Sequence, residues 1–322
     1  MRILAITSRD LEKGSTKYRL AQYLEYFSRQ GMHVEFVRRD EVDHTTIERA
    51  RNVDVVFNQK CLISCSLAKR LIAASRRVIF DFDDAIYTRP GKPFSWLTQQ
   101  KINRRFHLWL KKATTVTTAN EFLANYARNY SSRTEIVPMA LDLNVWRPVP
   151  REPDDHLIIG WAGAPINVPL LERLDGVLCT LLERHPSVRL AVFSGKKPNL
   201  HCPFDYYPFR PGAESQFVAG LDIGLLPLAD EEYTRGKSPI KALQYLACGV
   251  PVVGNVYGAT AEIVNERNGL AVSKETDWLP ALERLISAPD LAQALGKAGR
   301  EMVVRQHDLH AVAAQFQGIL AG

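Results

Sequence analysis

Gly236-Lys237-Ser238-Pro239-Ile240-Lys241-Ala242-Leu243-Gln244-Tyr245-Leu246-Ala247-Cys248-Gly249-Val250-Pro251-Val252-Val253 is the stretch from which the fold is read. Ser238 suits a helix N-cap and Pro239 the first helical position. Ile240, Leu243, Leu246 and Ala247 recur at helical spacing and give one apolar face. Gly249 predicts the helix stop, and residues 250–253 a buried strand after a tight turn. A helix N-terminus has unpaired N–H groups and a partial positive charge. With Arg235, Lys237 and Lys241 around it, this end predicts an anion site suited to a phosphate group. A capped surface helix with solvated lysines is the competing reading of the same residues.

The same strand–helix alternation extends both ways along the chain. Upstream, residues 223–228, 189–193 and 157–163 read as strands, the last running into the small-residue turn at Gly163. Residues 168–184 read as a helix, and 275–319 as helical to the end. Between 146 and 156 three prolines sit among charges, which reads as a linker. Before it, strands at 2–7, 33–37, 53–58, 78–82, 114–118 and 135–138 alternate with helices at 17–30, 66–74, 94–112 and 120–129. Such alternation predicts an α/β fold of two Rossmann-like domains with parallel sheets, 1–148 and 149–322, facing a central cleft. The last helix is free to pack back on the first domain.

Composition excludes several classes. The chain has 322 residues, 46% hydrophobic and 24% charged, as expected of a globular protein. It lacks an apolar run of the ~20 residues that span a bilayer, and its first residues read as a strand rather than a signal peptide, so a cytoplasmic location is expected. Five cysteines, at 61, 65, 179, 202 and 248, are too sparse for a disulfide framework and lack zinc-ligand spacing. The net charge of +6 is uneven: residues 1–148 hold 25 Lys+Arg against 15 Asp+Glu, the remainder 16 against 20. A basic first half points to an anionic membrane surface or an acidic acceptor; without a nucleic-acid-binding motif, nucleic acid is not expected as a partner.

Three further constellations carry chemistry. Gly14-Ser15-Thr16-Lys17-Tyr18-Arg19 follows the first strand: Gly14 permits close backbone approach, Ser15 or Thr16 suits a helix cap, and Lys17 and Arg19 are placed to meet an anion, an exposed loop being the competing reading. Asp81-Phe82-Asp83-Asp84 closes the fourth strand, where α/β sites lie. It reads as a Mg²⁺-ligating pair, as a base at the acceptor, or as a turn paired with nearby arginines. Residues 96–112 interleave Lys and Arg with large apolar residues, which fits a helix lying on an anionic membrane or an ordinary domain helix. Gly258-Ala259-Thr260-Ala261-Glu262 predicts a second helix start beside the first, so that the two grip one diphosphate while Glu262 bonds a sugar hydroxyl.

Residues 222–272 resemble the signature of retaining glycosyltransferases of family 4, which have the GT-B fold. The matching residues are Asp222-Ile223-Gly224-Leu225-Leu226-Pro227-Leu228, the run from Gly236 to Val253, Gly258, Glu262-Ile263-Val264 and Asn268-Gly269-Leu270. Residues 159–165 resemble the opening strand of such second domains, and 137–148 their linker. The resemblance implies transfer of a sugar from a nucleotide diphosphate sugar to a glycan or lipid-linked acceptor, with retained configuration and no metal or other cofactor. Donor contacts are expected at Gly163, Ser238, Pro239, Gln244, Gly258, Ala259, Thr260 and Glu262, with Lys237 and Lys241 as catalytic cations on the diphosphate. Asp83 and Asp84 then fall on the acceptor side, together with Gly14, Ser15, Lys17 and Arg19. Members usually carry two glutamates where this chain has Gly236 and Gln244. The Arg/Lys pair that members usually carry after the first strand of the second domain is absent after Ala164-Pro165; Lys237 and Lys241 would replace those cations, and Gln244 would still bond the ribose. A non-catalytic GT-B partner subunit and a nucleotide-sugar epimerase are the alternatives.

Overall fold

The computed structural model describes residues 1–12, 14–150 and 156–322. The middle of the expected linker, residues 151–155, lies outside them. The chain forms two compact units. The first comprises Met1–Ala140, Glu231–Ser238 and Leu309–Gly322; the second comprises Leu141–Asp230 and Pro239–Asp308. The units are therefore interleaved along the chain, whereas the composition of the linker places a single boundary at 148/149.

In the first unit, β1 (Arg2–Thr7), β2 (His33–Arg38), β3 (Val55–Gln59), β4 (Val78–Phe82), β5 (Thr115–Thr118) and β6 (Thr134–Ile136) form one parallel sheet. The order is β2-β1-β3-β4-β5-β6, so the topological switch lies between β1 and β3, where ligands of open α/β sheets bind. The central strands β1, β3 and β4 are buried on both faces, which their runs of Val, Ile, Leu and Phe match. One face packs on Phe106, Trp109 and Leu110 of helix Trp96–Lys112. The other packs on the last helix, Leu309–Ala321. Phe316 of that helix meets the rings of Tyr23, Phe27 and Phe57 at 5.5–5.6 Å. Arg77 donates to the carbonyls of Ile319 and Leu320 at its C-terminal end, where backbone acceptors lack helical partners.

In the second unit, β7 (Leu157–Gly163), β8 (Val188–Ser194), β9 (Asp205–Pro208), β10 (Ile223–Leu226), β11 (Val252–Asn255) and β12 (Gly269–Val272) run parallel in the order β12-β11-β10-β7-β8-β9. Counted from β7, this is the 3-2-1-4-5-6 order of dinucleotide-binding sheets, with the switch between β7 and β10. Close packing explains two of its glycines. A Cβ on Gly224 would stand 2.6 Å from the Tyr245 ring, and one on Gly163 2.1 Å from the Trp161 indole.

Several expected helices are broken. Residues 17–30 divide into Gly14–Arg19, a 3₁₀ turn Ala21–Tyr23 and Leu24–Arg29. Leu20 leaves helical geometry at φ −144°, and the Gln22 side-chain amide donates to the Tyr18 carbonyl. Residues 168–184 divide into Val168–Glu172 and Asp175–Arg184. Residues 275–319 become Glu275–Ile286, Pro289–Gln306 and Leu309–Ala321, with Pro289 opening the second of these. Among the described residues, no helix is long and apolar enough to cross a membrane.

Candidate functional site

The carboxyl ends of the first sheet gather a polar cluster that the sequence discloses only in part. At the switch between β1 and β3, buried Gln59 accepts from Ser8 Oγ (3.3 Å) and Thr16 Oγ1 (3.0 Å) and donates to Ser15 Oγ (3.3 Å). This holds the turn that begins at Gly14, whose φ of +53° suits glycine. Lys17 is exposed there, 5.8 Å from the Tyr18 ring centroid. Arg19 departs from expectation: it is fully buried and has no surface to offer an anion. It donates to both carboxylate oxygens of Asp81 and to the Val137 carbonyl. Burial works against its charge, but Asp81 outweighs that and holds the guanidinium's pKa above its ordinary value. Asp81 also accepts from Thr117 Oγ1 at 2.8 Å and is thus committed to the core.

Asp83 and Asp84 do come together, around a residue the sequence reading missed. Lys60 Nζ lies 2.8 Å from Asp83 Oδ1 and 2.7 Å from Asp84 Oδ2. Its ammonium thus stands where one of the three readings of these aspartates would have a Mg²⁺ ion. Lys60 follows directly on β3, and its φ of +48° is uncommon for a residue with a side chain. Its N–H donates to the Asp81 carbonyl at 2.7 Å. Burial first, and the Asp84 charge second, push the Asp83 carboxyl up to about 6, with Lys60 opposing. Burial lowers the Lys60 ammonium's pKa, but the charges and hydrogen bonds of Asp83 and Asp84 outweigh it and hold it above its ordinary value. Tyr233 stands near this group; burial and then Asp84 push its phenol up to about 12.

The segment Glu231–Ser238 is built into the same unit. Ser238 is not the helix N-cap: its buried hydroxyl donates to the Asp83 carbonyl at 2.9 Å. Pro239 occupies the cap position, and the helix is Ile240–Ala247. The tertiary hydrogen bond has displaced the local capping preference. Gly236 receives the Asn120 side-chain amide on its carbonyl (3.3 Å) and packs against Ala85 and Leu123. Half-buried Lys237 makes no ion pair among the described residues.

In the second unit, helix Ile240–Ala247 follows β10 and precedes β11. Lys241, in its first turn, pairs with Glu214 of helix Glu214–Ala219, so its charge is met within the unit. Gln244 is 1% exposed, which removes it from the surface where a ribose was expected. Next to it, the buried Tyr245 hydroxyl accepts the Ala162 N–H at 2.9 Å and ties the helix to the end of β7. The expected second helix is a 3₁₀ turn, Gly258–Glu262, after β11. Gly258 has φ +50°; Ala259 and Thr260 are buried, and the Thr260 N–H donates to the Tyr257 carbonyl at 3.0 Å. That amide is therefore spent inside the turn, while Glu262 is exposed.

Residues 181–318 match a family model described as glycosyl transferase-like. No curated protein matches the chain by sequence. Solved structures match it over nearly its whole length. Sucrose-phosphate synthase from Thermosynechococcus elongatus aligns with TM-score 0.74 and 17% identity, over 99% of this chain and 98% of that one. Anabaena HepE, solved in complex with UDP and glucose, aligns with TM-score 0.72 and 15% identity, over 100% and 99%. A glycosyltransferase from Rickettsia africae aligns with TM-score 0.74 and 12% identity, over 99% and 97%. The chain thus has the two-domain α/β fold of GT-B glycosyltransferases.

Proposed function

We propose that this protein is a glycosyltransferase that moves a sugar from a nucleotide diphosphate sugar to a glycan or lipid-linked acceptor with retention of configuration. One coincidence carries the reading. The glycosyl transferase-like segment, 181–318, contains both a helix that follows the fourth strand of a dinucleotide-type sheet and a cation in that helix's first turn. Such an end offers unpaired N–H groups and positive potential to a phosphate.

In this reading Lys241 and the start of helix Ile240–Ala247 bind the donor diphosphate, which takes Lys241 over from Glu214. Lys237 adds a cation in the segment leading into the helix. As the bond from sugar to phosphate breaks, charge grows on the leaving diphosphate. Fixed cations and amides stabilise that charge more than the ground state, and such preorganised electrostatics are usually the largest catalytic contribution. Gly163, Pro239, Gly258, Ala259 and Glu262 shape the donor side, with Glu262 exposed toward a sugar hydroxyl. On the first unit, Asp83 and Asp84 serve the acceptor. A carboxyl raised to about 6 is suited to receive a hydroxyl proton near neutral pH. Gly14, Ser15 and Lys17 line the turn at the sheet switch of that unit.

A thermal-shift screen of UDP, GDP, ADP and dTDP sugars tests the reading. At a hundredfold excess over Kd a ligand stabilises by about 2.7 kcal/mol. A selective rise of melting temperature with one nucleotide is expected, UDP being the first to try because HepE was solved with it. Absence of any response to all four refutes it.

A further inference from the structure

Helix Trp96–Lys112 is used by the fold only in part. Phe106, Trp109 and Leu110 enter the core, but Trp96 and Leu97 at its start are 72% and 73% exposed. Both are large apolar side chains in solvent, adjacent in the chain. They head two rows at four-residue spacing, Trp96-Gln100-Arg104 and Leu97-Lys101-Arg105. An open groove of roughly 810 Å³ is lined by Lys101, Arg104, Arg105 and His107 along the same helix.

The charge pattern is one-sided. Between Asp84 and Glu121 the sequence has seven Lys and Arg, at 89, 92, 101, 104, 105, 111 and 112, and neither Asp nor Glu. Lys101, Arg104 and Lys112 are exposed and make no ion pair among the described residues. Arg105 is anchored by the Leu62 carbonyl (3.0 Å), and Arg89 by the carbonyls of Lys92 and Pro93. Two carboxylates reach the start of the segment: Glu231 accepts the Gly91 N–H at 2.9 Å, and Glu232 lies near Tyr87. A stable domain helix is normally laced with both signs, so an acid-free run of this length calls for an anionic counterpart.

We propose that this helix docks the protein on an anionic lipid bilayer, with Trp96 and Leu97 entering the headgroup–acyl boundary and Lys101, Arg104 and Lys112 meeting lipid phosphates. The exposed apolar pair decides for a bilayer over a soluble polyanion, since charge alone would satisfy the latter. Trp at the interface and cations beside it are the two contributions that hold a helix in the plane of a membrane. The buried half of the helix fixes this tip to the rigid first unit, so docking needs no refolding. The inference stands on the surface alone and does not depend on the donor chemistry proposed above.

Flotation of the full chain with vesicles tests it. The protein should float with phosphatidylcholine vesicles containing phosphatidylglycerol, and stay behind with phosphatidylcholine alone. Replacing the two tip residues (W96S/L97S) should weaken partitioning about tenfold or more, because both apolar side chains leave the interface. K101E/R104E should weaken it as well, and added salt should mimic that loss. Both variants alter exposed residues, so an unchanged melting temperature serves as the folding control. No flotation with the anionic vesicles overturns the proposal. So does anionic-vesicle binding that W96S/L97S leaves intact, or RNA binding of wild type that excludes the vesicles.

Discussion

Replacing Lys60 by Met keeps the aliphatic stem and removes the ammonium shared by Asp83 and Asp84. The three side chains are only 14%, 4% and 18% exposed, and the two contacts are 2.8 and 2.7 Å. At an effective dielectric near 20, one such pair at roughly 3 Å is worth about 5 kcal/mol. After relaxation, stranding buried carboxylates should cost about 3–5 kcal/mol of folding stability. The pH dependence has a definite sign. Asp83 has a folded pKa of about 6 against the ordinary aspartate value of 3.8, so it binds its proton more tightly in the folded state. Its contribution is favourable at low pH and is lost as pH rises from 3.8 to about 6, about 3 kcal/mol in wild type. Without Lys60 the carboxyl rises further, and the loss continues above pH 6. Urea unfolding of K60M should therefore show a small destabilisation near pH 4 and the full one at pH 8. A change below about 1 kcal/mol at pH 8, or the same change at both pH values, would refute the reasoning.

Three other outcomes are expected. Arg19→Met should cost about 3–5 kcal/mol in urea unfolding, because it strands Asp81 in the core; a role at an acceptor surface would instead raise KM and leave stability alone. Gly236→Ala would place a Cβ 2.8 Å from Ala85 Cβ and 2.9 Å from Leu123 Cδ2, so a loss of roughly 1–3 kcal/mol is expected in thermal unfolding. Glu214→Gln removes the carboxylate that competes for Lys241, and calorimetry should find nucleoside diphosphate binding tighter by up to about fivefold, or ~1 kcal/mol.

Periodicity made the scaffold legible. The strands at 2–7, 78–82 and 157–163 coincide with β1, β4 and β7, and the long helix at 94–112 is Trp96–Lys112. Such elements announce themselves because buried parallel strands and amphipathic helices repeat their apolar residues. The site was harder to read because its partners are distant in sequence. Arg19 resembles any surface cation, since charged residues are seldom fully buried; its partner Asp81 lies 62 positions on. Lys241 was visible as a cation beside a helix start, but Glu214, 27 positions earlier, belongs to a helix the sequence reading passed over. Ser238 had the local chemistry of a cap, yet a carbonyl 155 positions away took its hydroxyl. Lys60 had a weak signal: the polar run Asn58-Gln59-Lys60 follows apolar Val55-Val56-Phe57, at the end of a sheet where sites gather.

The role given to the two lysines is tested most directly by measuring nucleoside diphosphate released from the nucleotide sugar that the thermal screen selects, in wild type and in K237A/K241A. Removing fixed charge from a developing anion of this kind costs about 10²–10³ in turnover. The account predicts a loss of that size at unchanged melting temperature. Equal release by wild type and the double variant would contradict it.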